Sequence, residues 1–193
     1  MILEVFGVIF GFVYLYLEVK QKKGMWIVGL LMAAVYAAVY LRESVYASMG
    51  FQIYYIVVSI YGFLVWNRDK LGEENSASDS ILYRRVPLKV LLLSVMVYVA
   101  ATASMVLVLG NSTNDPMPWA DSSITVLSAI ATFWLSKSYR AQWLVWLVVN
   151  TLTVLLAFRL QLYPTVLLYS VNAAASVYGY IHWGKRGICI SAD

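Results

Sequence analysis

The sequence predicts an all-α polytopic membrane protein with seven transmembrane helices. Of its 193 residues, 62% are hydrophobic and only 12% are charged, whereas a soluble domain of this size usually carries about 25% charged residues. The mean hydropathy is +0.74, and apolar runs of helix-spanning length recur along the whole chain. Because so few charges cannot coat a water-facing surface, a membrane protein is expected.

Seven apolar segments have the length of a spanning helix, since a hydrocarbon core of about 30 Å needs roughly 20 helical residues. They are residues 2–19, 25–41, 46–66, 87–109, 119–136, 143–160 and 163–183. The first segment lacks the basic start and cleavage pattern of a signal peptide, so we expect it to be retained. Residues 67–86 form a polar loop, expected to be mobile, and residues 110–118 form a turn-rich loop.

The basic residues predict the orientation of the chain in the bilayer. With seven spans, twelve of the fourteen Lys and Arg residues fall on one side, and only Arg42 and Arg159 fall on the other. The positive-inside rule places the richer side in the cytoplasm, with the N-terminus outside and the C-terminus inside. These loops also account for the net charge of +4, so binding to nucleic acid is not expected.

An internal repeat appears when the chain is shifted by 117 residues and residues 20–66 are compared with residues 137–183. Ten of 47 positions are identical. The matches that apolar composition explains least well are Trp26/Trp143, Arg42/Arg159, Tyr61/Tyr178, Gly62/Gly179 and Trp66/Trp183. An odd triplet followed by one linking helix gives both triplets the same orientation, so these are predicted to be parallel repeats with a binding site between them.

This repeat divides the chain into a three-plus-one-plus-three arrangement. We expect a first repeat at residues 1–66, a cytoplasmic loop at 67–86, a linking helix at 87–109, a second repeat at 119–183 and a cytoplasmic tail at 184–193.

The third helix of each repeat carries three polar residues spaced i, i+3 and i+7, which places each trio on one helix face. The trios are Gln52, Tyr55 and Ser59 in the first repeat, and Tyr169, Asn172 and Ser176 in the second. Polar side chains inside a membrane either line a pathway or hydrogen-bond one helix to another. For a single Ser the helix-to-helix role is favoured, whereas for Gln52, Asn150 and Asn172 together we favour a cavity.

A third stripe, on the sixth helix, consists of Trp143, Trp146 and Asn150. Trp143 has a repeat partner in Trp26, and for Trp26 we favour a place in the interfacial aromatic belt. Trp146 aligns with Gly29, so the repeat symmetry is broken there. An indole beside an amide suits a flat, cationic heteroaromatic ligand, because the ring stacks and the amide donates or accepts a hydrogen bond.

Other sequence features favour neither an enzyme nor a metal site. No phosphate-binding loop, metalloprotease motif, serine-nucleophile motif or pair of intramembrane carboxylates is present in the sequence. No cofactor is therefore expected. Glu18 is expected to reach water and pair with Lys20 or Lys22, and alternatively to attract a cationic substrate at the inner mouth.

Three stretches carry a resemblance to a known family. "GMWIVGLLMAAVY", "LRESVYASMGFQIYYIVVSIYGFLVW" and "QWLVWLVVNTLTVLLAFRLQLYPTVLLYSVNAAASVYGYIHW" resemble the PnuC family of bacterial vitamin transporters. The most specific features are the W-x-x-W-x-x-x-N run and the Tyr-Gly-x-x-x-Trp ending of both repeats. The similarity covers nearly the whole chain except the loop 67–86 and the tail.

The resemblance implies a three-plus-one-plus-three fold related to the SWEET sugar transporters, assembled as a homotrimer in the bacterial inner membrane. It implies facilitated diffusion of an unphosphorylated vitamin, which a cytoplasmic kinase then traps. By position, Trp146 would stack on the vitamin ring, and Asn150 and Gln52 would hydrogen-bond to it. Asn172 and Tyr169 lie where the second repeat would complete the pocket, and Trp143 would act as a gate or wall. Tyr55, on the same stripe as Gln52, is a further candidate binding residue.

The substrate is the least determined part of the prediction. Members of the resembled family take nicotinamide riboside, thiamine, riboflavin or nucleosides, and the riboside branch is expected to carry a Gln after a second-helix W-x-x-G-L. Here the region reads "WIVGLLMAA", without an amide, which leaves fewer partners for ribose hydroxyls. We therefore expect thiamine, with nicotinamide riboside as the alternative and a non-transporting membrane scaffold as the more distant one.

Overall fold

A computed structural model describes residues 2–42, 46–72, 80–112 and 117–190 of the chain, and the side chains of residues 10–42, 49–70, 80–108 and 117–190. Within these ranges the chain forms seven helices and two short strands. In order they are α1 (Ile2–Val19), α2 (Gly24–Arg42), α3 (Tyr46–Gly72), β1 (Ile81–Tyr83), α4 (Leu88–Ser112), α5 (Pro118–Ser136), α6 (Gln142–Arg159), α7 (Tyr163–Arg186) and β2 (Gly187–Cys189).

The seven helices confirm the predicted helical architecture, and each predicted span falls on one of them. Four helical stretches in the described part of the chain are long and apolar enough to cross a bilayer: Gly24–Arg42, Met49–Lys70, Leu88–Val108 and Gln142–Arg159. The other three predicted spans lie in α1, α5 and α7, and their membrane crossing stays a prediction. Many large apolar side chains of α4 are exposed, as expected of a helix that faces lipid.

The two strands correct the prediction of a purely helical chain with a loose loop and tail. β1 and β2 pair in parallel, with Ile81 opposite Gly187 and Tyr83 opposite Cys189. Both lie in segments that were expected to be irregular, because three-residue strands carry too little periodicity to be recognised. Their backbone groups find partners only where the chain returns after α7, so the pairing depends on tertiary structure.

Most helix contacts join helices that are neighbours in the chain. α2 packs on α3 and α6 packs on α7, while α1 contacts α2 and α7, and α5 contacts α3, α4 and α6. α2 ends at Arg42 and α6 at Arg159, and α3 begins at Tyr46 and α7 at Tyr163. Each of these pairs is separated by the 117 residues found in the sequence comparison.

Four buried indoles, which we call the tryptophan cluster, join α2 and α3 to α6 and α7. They are Trp26, Trp66, Trp183 and Trp143, and neighbouring rings meet edge to face with centroids 5.2, 6.4 and 5.6 Å apart. Two of them also donate across the triplets. The Trp66 indole N–H donates to the Leu135 carbonyl at 3.2 Å, and that of Trp183 donates to the Val19 carbonyl at 3.0 Å.

The position of Trp26 differs from the prediction of an interfacial aromatic belt, because its side chain is only 1% exposed. Glycine on the neighbouring helix explains the difference. A Cβ atom at Gly62 would overlap the Trp26 ring, and one at Gly179 would lie 2.6 Å from the Trp143 ring. The two glycines thus make room for indoles that would otherwise point away from the core.

The turns before α2 and α6 also correspond to each other, and both bind the segment that precedes α4. Gln21 and Ser138 are both buried and both left-handed, with φ of 49° and 59°. The Gln21 amide donates to the Leu82 carbonyl and accepts from the Leu82 N–H, each at 2.6 Å. Arg84 forms an ion pair with Asp69 at 2.6 Å, and its backbone N–H donates to the Ser138 carbonyl at 2.9 Å. The segment before α4 is therefore fastened both to α3 and to the turn before α6.

We predict that Gly179→Ala destabilises the protein by about 1–3 kcal/mol, because the added methyl group overlaps the Trp143 ring in a packed core. The thermal unfolding midpoint in detergent measures the effect. Gly50→Ala is the matched control, since Gly50 lies within α3 and a Cβ there meets nothing within 4 Å. Equal midpoints for the two variants would contradict this account of the packing.

Candidate functional site

Two adjoining cavities are lined from both the first three and the last three helices, and we call them the central cavities. The first, of about 260 Å³, is lined from α1, α2, α3, α5 and α6. The second, of about 390 Å³, is lined from α1, α2, α6 and α7. Gly11, Tyr14, Met32 and Trp146 line both, so Trp146 lies where the two cavities adjoin.

All seven residues that the sequence singled out line these cavities. Gln52, Tyr55 and Trp146 line the first. The second is lined by Trp143, Trp146, Asn150, Tyr169 and Asn172. The structure therefore brings the stripes of α3, α6 and α7 to one region, as the i, i+3, i+7 spacing required.

Trp146 is half-buried, and its indole N–H has no hydrogen-bond partner among the described residues. Gly29, its repeat counterpart on α2, lines the first cavity. A Cβ at Gly29 would lie 3.2 Å from the Tyr14 ring and 3.4 Å from the Ser59 hydroxyl, so the small residue keeps this wall open. Buried N–H groups usually have a hydrogen-bond partner. The unpaired indole N–H of Trp146, a residue that lines both cavities, is therefore a candidate donor to a ligand.

Asn150 is buried, and it both hydrogen-bonds α6 to α7 and lines a cavity. These are the two roles that the sequence left open. Its Nδ2 donates to the Ser176 hydroxyl at 3.2 Å, and that hydroxyl donates to the Asn172 carbonyl at 2.8 Å. This network ties α6 to α7 and fixes the rotamer of the amide. The amide oxygen takes no part in these bonds and remains an acceptor at the cavity wall.

Trp143 serves as a wall shared by the second cavity and the tryptophan cluster. Its ring is buried against Gly179 and meets Trp183 edge to face, with centroids 5.6 Å apart and planes at 89°. Such packing holds the ring in one rotamer. Of the predicted alternatives of gate and wall, this arrangement favours the wall.

The position of Glu18 contradicts the preferred prediction, which was that its carboxylate reaches water and pairs with a lysine. It is 4% exposed, lines the second cavity and accepts a hydrogen bond from Gln142 Nε2 at 3.3 Å. α1 contacts α7 as well as α2, so the end of α1 faces the middle of the protein. The alternative position at the mouth of a cavity fits the structure.

Most of the cavity wall that α1 and α2 supply was not predicted from the sequence. Gly11, Tyr14 and Glu18 line the second cavity, and they follow the same i, i+3, i+7 spacing as the recognised stripes. That spacing could have indicated the inward face of α1. Only Glu18 of the three is charged, however, so the pattern is weak in so apolar a helix. Met32 and Tyr36 of α2 gave no polar pattern that would distinguish them from lipid-facing neighbours.

The described residues contain no group of three or more His, Cys, Asp or Glu side chains that could hold a metal ion. Apart from the carboxyl group of Glu18, the functional groups on the described lining residues are mainly aromatic rings, amides and hydroxyls. These groups suit a planar organic ligand with hydrogen-bonding substituents.

Comparisons with known proteins agree on one family of transporters. The family model described as nicotinamide mononucleotide transporter matches residues 1–185. The nicotinamide riboside transporter PnuC of Neisseria mucosa is 28% identical over 174 residues, which make up 86% of this chain and 65% of that protein. The PnuC of Escherichia coli is 24% identical over 204 residues, covering 94% of this chain and 84% of that protein.

A solved structure extends this similarity to the fold. The crystal structure of the vitamin B3 transporter PnuC superposes with a TM-score of 0.66 at 25% identity. The match covers 91% of this chain and 77% of that chain.

We predict that the first cavity is wet enough for a cysteine at position 52 to react with a water-soluble methanethiosulfonate. Reaction requires the thiolate, which forms in water and not in lipid. The variant is Gln52→Cys in a Cys189→Ser background, because Cys189 is a free and exposed thiol. The control is Leu92→Cys on α4, where the native side chain is 56% exposed on an apolar face.

Labelling is followed by mass spectrometry of protein in liposomes. We expect rapid modification at position 52 and little at position 92. Equal rates at the two positions would show that position 52 is no more hydrated than a lipid-facing site.

Proposed function

Because the chain belongs to the nicotinamide mononucleotide transporter family, we propose that it carries unphosphorylated nicotinamide riboside across a membrane by facilitated diffusion. Membership confirms the resemblance to PnuC, and the family and its relatives are transporters rather than enzymes. The protein is a multi-pass membrane protein. The observation that carries the proposal is the convergence of seven aromatic, amide and hydroxyl residues on the central cavities.

The choice of nicotinamide riboside replaces the expectation of thiamine. The relatives are named as nicotinamide riboside transporters, which favours the alternative. The argument for thiamine was the missing amide on α2. The first cavity offers other partners for ribose hydroxyls, since Gln52, Tyr55, Ser59 and Thr132 all line it.

The two cavities suggest how such a ligand would lie. In our proposal the nicotinamide ring stacks on Trp146, and its carboxamide meets Asn150, Asn172 and Tyr169 in the second cavity. The ribose then points into the first cavity, towards Gln52 and Tyr55. Stacking of a flat ring on an indole and hydrogen bonds to amides would together fix the ligand orientation.

The electrostatics of the cavities favour a ligand without a phosphate group. Among the described residues that line them, none is Lys, Arg or His. A phosphate would lose its hydration without gaining a countercharge, which is costly in a low-dielectric site. We therefore propose that phosphorylation by a cytoplasmic kinase traps the vitamin after passage, because the product no longer fits the cavities electrostatically.

The transport mechanism we propose uses the two triplets as parallel repeats that rock about the central cavities. The correspondence of helix ends after 117 residues and the matched turns at Gln21 and Ser138 support this arrangement. The distribution of Lys and Arg supports an outer N-terminus and an inner C-terminus.

Two further proposals concern location and assembly. We propose the bacterial inner membrane as the location, from the resemblance to bacterial vitamin transporters. The apolar face of α4, which includes Leu92, Met96 and Val99, suits contact with lipid or with other copies in a homotrimer.

We predict that nicotinamide riboside quenches the intrinsic tryptophan fluorescence of the purified protein, and that Trp146→Ala weakens binding roughly tenfold or more. Stacking of a base on an aromatic side chain contributes about 1–3 kcal/mol. Trp119→Ala is the control, because Trp119 is 59% exposed and lines neither cavity. Thiamine and riboflavin complete the panel. Unchanged affinity in Trp146→Ala would rule out the stacking role, and tighter binding of thiamine would restore the first expectation.

A second prediction concerns energy coupling. Proteoliposomes loaded with unlabelled nicotinamide riboside should take up labelled riboside by counterflow without ATP or an ion gradient, because no ATPase motif is present in the sequence. Uptake that requires a proton gradient would contradict facilitated diffusion. Absence of any uptake, with binding retained, would favour the non-transporting scaffold.

A further inference from the structure

Glu18 is the one acidic side chain among the described residues that line the central cavities, and none of those residues is basic. It lies in the last turn of α1 and is 4% exposed. Its hydrogen-bond partner is the Gln142 amide, whose Nε2 lies 3.3 Å from the carboxylate. The proposed roles of Trp146 and Asn150 make no use of this carboxyl group.

A neutral amide is a weak partner for a buried carboxylate. Taking a charge out of water costs free energy unless an opposite charge or several hydrogen bonds replace the lost hydration. Glu18 has no ion-pair partner among the described residues, and Gln142 supplies one N–H. An acid in this position therefore has most to gain from a cation that enters the cavity.

Gln142 fixes where the carboxylate lies. Its side chain is fully buried and it opens α6, one residue before Trp143. Its Nε2 donates to Glu18, while its Oε1 has no hydrogen-bond partner among the described residues. The amide thus orients Glu18 on the wall that Trp143, Trp146 and Asn150 also form.

We propose that Glu18 is the countercharge for a cationic aromatic ring and selects such rings over neutral rings of the same shape. This proposal rests on the proposed function, in which the substrate is nicotinamide riboside. The pyridinium ring of that nucleoside carries a positive charge, whereas its reduced dihydropyridine form has the same ribose and carboxamide and no charge. Trp146 contributes to the same preference, since an indole face attracts cations.

The oxidised and reduced forms of nicotinamide riboside differ in charge but little in size. Comparing their binding therefore tests the effect of charge separately from that of shape. Binding of oxidised and reduced nicotinamide riboside is measured by calorimetry for the natural protein, Glu18→Gln and Glu18→Asp. We expect the natural protein to prefer the cation, and Glu18→Gln to lose about tenfold or more in affinity for the cation, as when one partner of a desolvated charge pair is removed. Affinity for the neutral form should change less than about twofold, because Glu18→Gln nearly conserves the side-chain volume and a neutral ring offers no charge for the carboxylate to pair with.

Glu18→Asp keeps the charge and should keep most of the preference for the cation. Equal losses for both ligands in Glu18→Gln would assign Glu18 a purely structural role and overturn the proposal, as would unchanged affinity for the cation. Size-exclusion profiles and thermal midpoints verify that each variant is folded. If Glu18→Gln does not fold, Glu18→Ala provides a second neutral variant for the same comparison.

The failure of this proposal is distinguishable from the failure of the proposed function. If the natural protein binds neither form of the riboside but binds thiamine, the substrate assignment is wrong and the countercharge is tested on thiamine, which is also a cation. A loss of thiamine affinity in Glu18→Gln then supports the role of Glu18. Unchanged thiamine affinity in that variant overturns it.

Discussion

The tryptophan cluster is the interaction on which the rest of the structure depends. Its rings run from one helix triplet to the other in edge-to-face contact, a geometry that the quadrupole of each ring favours. Trp66 and Trp183 also donate to the Leu135 and Val19 carbonyls, at the ends of α5 and α1. In a membrane, where apolar burial drives helix association little, such packing and hydrogen bonding are the main attractive terms.

The position of the candidate site follows from this cluster. Trp143 is held against Gly179, which fixes the rotation of α6 about its axis. Trp146 and Asn150 lie one and two turns further along the same face, so they turn towards the middle of the protein rather than towards lipid. The Asn150–Ser176 hydrogen bond then secures α6 to α7 at the level of the second cavity. Residues that pack the core and residues that line the cavities therefore share one face of α6.

The central cavities are lined by apolar or aromatic surfaces and by polar side chains. Small residues such as Gly11 and Gly29 leave space in the cavities, and the aromatic side chains provide flat surfaces on which a planar ring could stack. In the proposed function, the amides and hydroxyls of Gln52, Asn150 and their neighbours would replace the hydration that the vitamin loses on entry. None of the described lining residues is basic, so in the proposed function an anionic ligand would be disfavoured, because a low-dielectric site without a countercharge destabilises an anion.

The sequence by itself determined the helices, the repeat and the stripes of α3, α6 and α7, because bilayer thickness fixes helix length and the helical period fixes which residues share a face. It did not determine which face of α1 points inward, since Glu18 lies in a helix whose apolar residues surround it on all sides. Nor did it determine that Trp26 is buried, which depends on the space above Gly62, or that residues 81–83 pair with residues 187–189. These features arise from contacts between segments far apart in the chain, and only the tertiary structure decides them.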